Sequence, residues 1–495
     1  MKLKKRRFSV YIDARKPRAR YFSPITEIKI PEELADLIEK VTFSPPFRFF
    51  QSPNPPSPAY HHLKVPDQIA ELLKASECHN WGYTGRGVHV VMIDSGFYRH
   101  PYYSSRGYSI DVHSVVGGVD NDDVGHGTAI AANLFAVAPD VHLTMIKAFD
   151  EEWEICDLST ALFATAFVDA GSKVDILSCS WGIPEGCMLL AEDFIEYRPV
   201  LEAEIEALID RNITVIFAAG NKEQIIQCIV GWPSTMPEVI SVGGAYINNL
   251  ENWEDSNNWE ASSYASSGES VLYSDSSGPR KIPDVCGIVG QAPNGIFITL
   301  PTQPNCEADN SFAGADQTET DDGWIVGSGT SSAAPQVAGV AALMIERYRG
   351  DGVDFTPALI KHKLVNKARD ITKGTSACGD IAIEGIDDAT GHGLVDAEAS
   401  VSGKICFIAT AAYGSPLAPQ VRFLRHIRDV RLRKRRIGAL FIDAYEWIYY
   451  KFSPRVARTM QQNHLFRNFI KKLVVSPVVH FLMGVFKPFN KLRNK

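Results

Sequence analysis

From residue 64 onward, short continuous apolar runs alternate with helical stretches, and this alternation limits the fold more than any single residue does. Val88-His89-Val90-Val91-Met92-Ile93 reads as a buried strand ending at Asp94, and Leu143–Ile146, Val174–Leu177, Ile213–Phe217 and Val239–Val242 read the same way. Between them a helix starts just after His126, and others are expected over Asp157–Ala170 and Pro199–Arg211. Strands that are apolar on both faces need cover on both faces. The expected class is therefore α/β, a three-layer parallel sheet with helices on either side. Functional groups in such sheets sit at strand ends, where Asp94 and Asn221 fall.

The chain has 495 residues, enough for a large core and more than one domain. Its net charge of −8 is unevenly spread: residues 404–495 carry nineteen Lys or Arg against Asp429, Asp443 and Glu446. That segment is at +16, so the remainder must be at −24. Three parts follow: a leader at 1–63, a body at 64–402, and a basic module, expected to be small and helical, at 403–495. In the leader, Phe8–Ile12 alternates like a short strand and Pro31–Val41 suits one helix, before Pro-rich stretches at 44–46 and 52–56. Basic residues at 2–7 are not followed by an apolar run long enough for a signal peptide. Nine scattered cysteines form no disulfide framework and no metal-ligand pattern, which points to free thiols and a cytoplasmic location.

The chemistry concentrates in Val91-Met92-Ile93-Asp94-Ser95-Gly96, Gly125-His126-Gly127-Thr128 and Gly329-Thr330-Ser331-Ser332-Ala333-Ala334-Pro335. A serine hydroxyl is a weak nucleophile at neutral pH and needs an adjacent base. Imidazole suits that task, and a carboxylate can fix its tautomer and stabilise its charged form. Ser331 is accordingly the expected nucleophile, His126 the base and then acid, and Asp94 the orienting carboxylate. Gly329 permits a sharp turn before Ser331. Pro335 falls in the first turn of the following helix, where a missing N–H costs nothing. Gly125 and Gly127 leave room around the imidazole.

These motifs in this order, with Ala218-Ala219-Gly220-Asn221 between the second and third, resemble the subtilisin-like serine protease family. The resemblance spans roughly residues 64–402 and implies a serine endopeptidase acting through an acyl-enzyme. It implies that Asn221, with the Ser331 backbone N–H, forms the oxyanion hole, and that Ser180-Trp181-Gly182 pairs with substrate backbone. It also marks the leader as a pro-segment candidate. Calcium is a cofactor in many relatives, but no metal ligands are identifiable here. His100, His392 and Cys179 read as structural. The rival readings are a catalytically silent binding module, or an adaptor acting through the basic tail on a membrane or nucleic acid.

Cys406-Phe407-Ile408-Ala409-Thr410-Ala411-Ala412-Tyr413-Gly414-Ser415 resembles the CFI-box domain of bacterial proteins, and Tyr449–Pro454 fits that resemblance. Arg422, Arg425, Arg428 and Arg431 recur every three residues. The uncharged stretch Leu473–Phe486 has fourteen residues, below the roughly 17–25 needed to span a bilayer. The expected partners are a peptide or protein substrate and, through 404–495, the surface of an anionic membrane; nucleic acid is disfavoured.

Overall fold

The computed structural model describes residues 62–402 except 117, 120, 150–157, 186–191, 223–229, 277, 292–296, 313–320 and 351–352. It also describes the leader strands 8–12, 38–43 and 48–49, and 407–413, 419–427, 456, 459–460 and 463–486 near the C-terminus. Tyr449–Pro454, Cys406, Arg428 and Arg431 lie outside the described residues.

Among the described residues, eight strands form the central sheet. Seven run in the order Trp259–Ala261, Ile240–Ile247, Thr214–Ala218, Ile176–Cys179, His89–Asp94, His142–Lys147 and Ser109–Ser114, with Val285–Ile288 beside Ile240–Ile247. All pairings are parallel except the one made by Trp259–Ala261. The middle strands are buried along their whole length, as their continuous apolar runs demand. The helix His126–Val137 has no exposed residue and belongs to the interior. Leu158–Gly171 and Glu192–Asp210 close a core holding Trp181, Phe217, Tyr197 and Trp232. The helix expected from Pro199 starts seven residues earlier, at Glu192, and carries Pro199 inside it. Tyr197, Leu201, Ile205 and Leu208 are buried along it, and that face carries the helix past the proline.

The leader departs from expectation. Residues 38–41, expected to be helical, lie in a strand, Ile38–Phe43, antiparallel to Phe8–Ile12 with Phe8 opposite Phe43 and Val10 opposite Val41. Long-range pairing of β-branched and aromatic residues overrides the local helical pattern. The first leader strand lies against the helix Leu158–Gly171 and the second against Glu192–Asp210. A third, Arg48–Phe49, pairs antiparallel with Trp181–Pro184, placing Arg48 opposite Gly182 and Phe49 opposite Trp181.

Cys78, Cys179, Cys286 and Cys306 are buried free thiols. Cys378 is disulfide-bonded, so the expectation of free thiols throughout fails there. Two compact units emerge: residues 1–346 with 356–401, and residues 347–355 with 402–495. In the second, Phe407–Tyr413 and Pro419–His426 are helical, and His464–Ile470 runs through a π turn, Lys471–Val475, into Ser476–Phe486. Among the described residues no helix is long and apolar enough to cross a membrane.

Candidate active site

Three neighbouring strands bring their carboxyl ends together. His89–Asp94 ends at Asp94, Ile176–Cys179 runs out into Ser180, and Thr214–Ala218 leads through Ala219 and Gly220 to Asn221. Their register sets Ile93 beside Cys179 and Cys179 beside Phe217, so all three residues emerge on one edge. Each then holds a group from elsewhere in the chain.

Asp94 is fully buried, and its Oδ1 lies 2.8 Å from Nδ1 of His126. The same oxygen accepts the Ser95 amide at 2.8 Å. His126 opens its helix after Gly125, whose φ is +87°. A Cβ on Gly125 would lie 2.3 Å from Cys306 Sγ and from Thr302 Oγ1, and one on Gly127 would lie 2.3 Å from the Gly96 carbonyl. These glycines thus permit close packing of neighbouring segments, rather than leaving space around the imidazole.

Ser331 stands second in the helix Thr330–Gly350, after a turn in which Gly329 has φ +122°. Its Oγ donates to the Ser180 carbonyl at 3.1 Å, and Ser180 Oγ donates to the Ser331 carbonyl at 2.9 Å. Pro335 explains the second bond. It lies in the second turn, not the first as expected, and lacks the N–H that would take the carbonyl four residues back. That carbonyl belongs to Ser331, and Ser180 supplies the missing donor. Trp181 sends its ring inward, with Nε1 donating to the Ile93 carbonyl at 2.8 Å. The leader residues Arg48–Phe49 lie along the backbone of Trp181-Gly182.

Asn221 is fully buried. Its Oδ1 accepts the Thr330 amide at 3.0 Å and the Thr330 hydroxyl at 3.1 Å, which fixes the orientation of the amide. Nδ2 is left without a hydrogen-bond partner among the described residues. A buried amide donor of this kind is uncommon and calls for an acceptor.

Sequence reasoning missed a second buried carboxylate. One oxygen of Asp122 accepts from Ser95 Oγ at 2.6 Å and the Gly125 amide at 2.9 Å; the other accepts from the Thr128 amide at 2.7 Å and its hydroxyl at 2.6 Å. Ser95 Oγ in turn accepts the Gly127 amide at 2.8 Å. Asp122 therefore ties the strand end bearing Asp94 to the helix start bearing His126. Burial, only partly opposed by these hydrogen bonds, pushes its carboxyl above the usual range. Tyr264 is a second omission: its hydroxyl accepts the Gly329 amide at 3.1 Å and donates to the Gly290 carbonyl at 2.6 Å, bracing the turn before Ser331.

The residues expected to be structural behave so. His100 caps a short helix by accepting the Tyr102 amide, and burial pushes the Cys179 thiol well above its ordinary value. His392 lies in a turn between Gly391 and Gly393, ahead of the helix Ala397–Ser402, and its amide donates to the Asp284 carbonyl at 3.0 Å. Among the described residues, no group of three or more His, Cys, Asp or Glu is placed to hold a metal ion.

A parallel α/β sheet whose strand ends gather a carboxylate–imidazole pair, a helix-borne serine and a buried amide has the layout of a serine hydrolase. The Subtilase family profile matches residues 85–393, and the chain belongs to that family. It is a subtilisin-like serine endopeptidase. It is 28% identical over 341 residues to serine protease AprX of Bacillus subtilis (strain 168), covering 65% of this chain and 67% of that one. It is 26% identical over 324 residues to subtilisin E of the same organism, covering 61% and 66%. The chain thus spans about two thirds of the length of these relatives. Among solved structures, a lanthipeptide protease aligns at TM-score 0.49 and 22% identity, over 67% of this chain and 92% of that one.

Proposed function

We propose that the chain hydrolyses peptide bonds through an acyl-enzyme on Ser331. Ser331 Oγ attacks the scissile carbonyl carbon and its proton passes to His126 Nε2. Asp94 holds the imidazole by Nδ1 throughout and stabilises the imidazolium. The negative oxygen of the tetrahedral intermediate takes the Asn221 Nδ2 donor, and collapse expels the amine with the proton returned by His126. Water then repeats the sequence on the acyl group. The observation that carries this reading is the Asn221 amide, buried, locked by Thr330 and left with a free donor. Preorganised donors of this sort are typically the largest electrostatic contribution in acyl transfer. A silent binding module would have no use for such a donor.

The pairing of Arg48–Phe49 with Trp181–Gly182 supports a further part of the proposal. Extended peptide adds to strand edges through main-chain hydrogen bonds, and the leader takes the edge a substrate would need. Residues 1–63 then act as a removable pro-segment. The Cys378 disulfide supports action in an oxidising compartment, against the cytoplasmic expectation. The segment 404–495 serves in this proposal as a peripheral contact with an anionic membrane.

Ser331→Ala tests the core of the proposal. The wild-type chain should take a fluorophosphonate label, cut an unbiased peptide library, and yield a shortened N-terminus on sequencing. The variant should do none of these while unfolding at the same temperature. Full turnover by Ser331→Ala would end the assignment. An active enzyme that keeps its leader would end the pro-segment reading alone.

A further inference from the structure

The C-terminal unit presents a row of large apolar side chains to solvent. Phe469 is 57% exposed, Leu473 63%, Val474 48%, Val478 48% and Phe481 69%. They lie on one continuous helical run, His464–Phe486, whose buried residues include Val475 and Val479. In an uninterrupted α-helix, at about 100° per residue, the five exposed positions would spread over about half the circumference. The π turn Lys471–Val475 adds residues to one turn and draws them into about a quarter of it. The result is a single apolar stripe, with Val475 and Val479 on the inward side.

The sequence around this run is basic. From residue 447 to 495 the chain has ten Lys or Arg and no Asp or Glu. Lys472 is exposed beside the stripe, while Lys471 lies over the Tyr413 ring, with Nζ 4.9 Å from its centroid. An exposed apolar row on a soluble surface marks a contact. A cationic, acid-free sequence favours an anionic one, and an amphipathic helix of this composition lies in the interface plane of a bilayer.

We propose that Phe469, Leu473, Val474, Val478 and Phe481 insert as one stripe into an anionic phospholipid surface, with Lys471 and Lys472 at headgroup level. This rests on reading 404–495 as a membrane contact and adds the stripe that enters the lipid. Binding then has two parts, an electrostatic one that salt removes and an apolar one that salt leaves.

The full chain is mixed with vesicles of phosphatidylcholine alone, or of phosphatidylcholine with phosphatidylserine, and sedimented at low and high salt. It should bind the anionic vesicles and keep part of that binding at high salt. The triple variant Phe469→Ser, Leu473→Ser, Phe481→Ser should unfold at the same temperature, because these side chains are exposed. It should lose the salt-resistant fraction, with affinity about 100-fold lower. If both proteins bind anionic vesicles alike and salt releases both completely, the stripe is refuted and the basic contact survives. Equal binding of the wild type to both vesicles would overturn the anionic selection. No binding to either would overturn the membrane reading as a whole.

Discussion

Removing the Asn221 amide is the sharpest test of the catalytic geometry. The side chain is fully buried and its oxygen is committed to Thr330, so Nδ2 cannot turn away and needs no reorganisation during reaction. Asn221→Ala should therefore lower kcat by about 10²–10³, or about 2.7–4 kcal/mol, with KM little changed; this magnitude comes from an enzyme of the same family. The structure adds a second effect. The Thr330 hydroxyl keeps the Gly220 carbonyl at 3.2 Å, but the Thr330 amide loses its acceptor in a buried setting. That costs about 1–3 kcal/mol of stability and several degrees of Tm. Asn221→Asp separates the two. Its carboxylate can keep both Thr330 bonds, so stability should largely return, while kcat stays at or below the alanine value because an acceptor now faces the oxyanion. Initial rates on a chromogenic peptide give kcat and KM, and calorimetry gives Tm. A rise in KM at constant kcat would show that Asn221 binds the ground state, and recovery of kcat in Asn221→Asp would refute the donor role.

Three other substitutions test the supporting network. Ser180→Ala leaves the Ser331 carbonyl without the donor that Pro335 cannot supply. Stability should fall by about 1–3 kcal/mol and kcat by about tenfold as Ser331 shifts; wild-type values for both in calorimetry and steady-state kinetics would remove Ser180 from this role. Asp122→Asn puts an NH₂ group against two donors, so kcat should fall by about 100-fold with KM little changed. Because burial raises the Asp122 pKa above its ordinary 3.8, its ionisation makes the wild-type fold less stable as pH rises through the shifted value. The Tm deficit of Asp122→Asn should then shrink with rising pH in that window, and a deficit that grows would contradict the direction. At Asp284, burial pushes the carboxyl upward, but Lys361, Arg280 and the Ser241 amide outweigh it and hold it below 3.8. The stability this gives is present above pH 3.8 and is lost as pH falls through the depressed value. Lys361→Met should therefore cost about 2–4 kcal/mol near neutrality, Arg280 remaining, and less in acid; an equal loss at both pH values in denaturant titrations would exclude the charge pairing.

What could be read from the sequence follows the range of the interaction involved. Five of the sheet strands were legible because burial on both faces writes a continuous apolar run, as in His89–Asp94 and Thr214–Ala218, whereas Ser109–Ser114, whose burial alternates, and the short Trp259–Ala261 and Val285–Ile288 escape such a reading. Most ends of those five differ by a residue or two, since the hydrogen-bond register decides them, and Ile240–Ile247 runs five residues past Val242. The helix expected across Pro31–Val41 failed because the antiparallel partner of Ile38–Phe43 lies some thirty residues away, at Phe8–Ile12. Asp94, His126 and Ser331 announce themselves because small residues crowd around each. Asp122 does not, because its four donors come from Ser95, Gly125 and Thr128, which share no periodicity with it.

Pro335 shows how a residue can be visible in sequence and still be misjudged. Read locally, it is a proline tolerated near a helix start. In the structure, its missing N–H leaves the carbonyl of Ser331 without a helical partner, and Ser180 Oγ fills the gap at 2.9 Å. The Ser331 hydroxyl returns a bond to the Ser180 carbonyl at 3.1 Å, so the two serines are clasped in both directions. Ser180 opens the segment that the leader strand pairs with, and its neighbour Cys179 lies beside Ile93 on the strand ending at Asp94. The proline therefore couples the position of Ser331 to the segment along which the leader pairs.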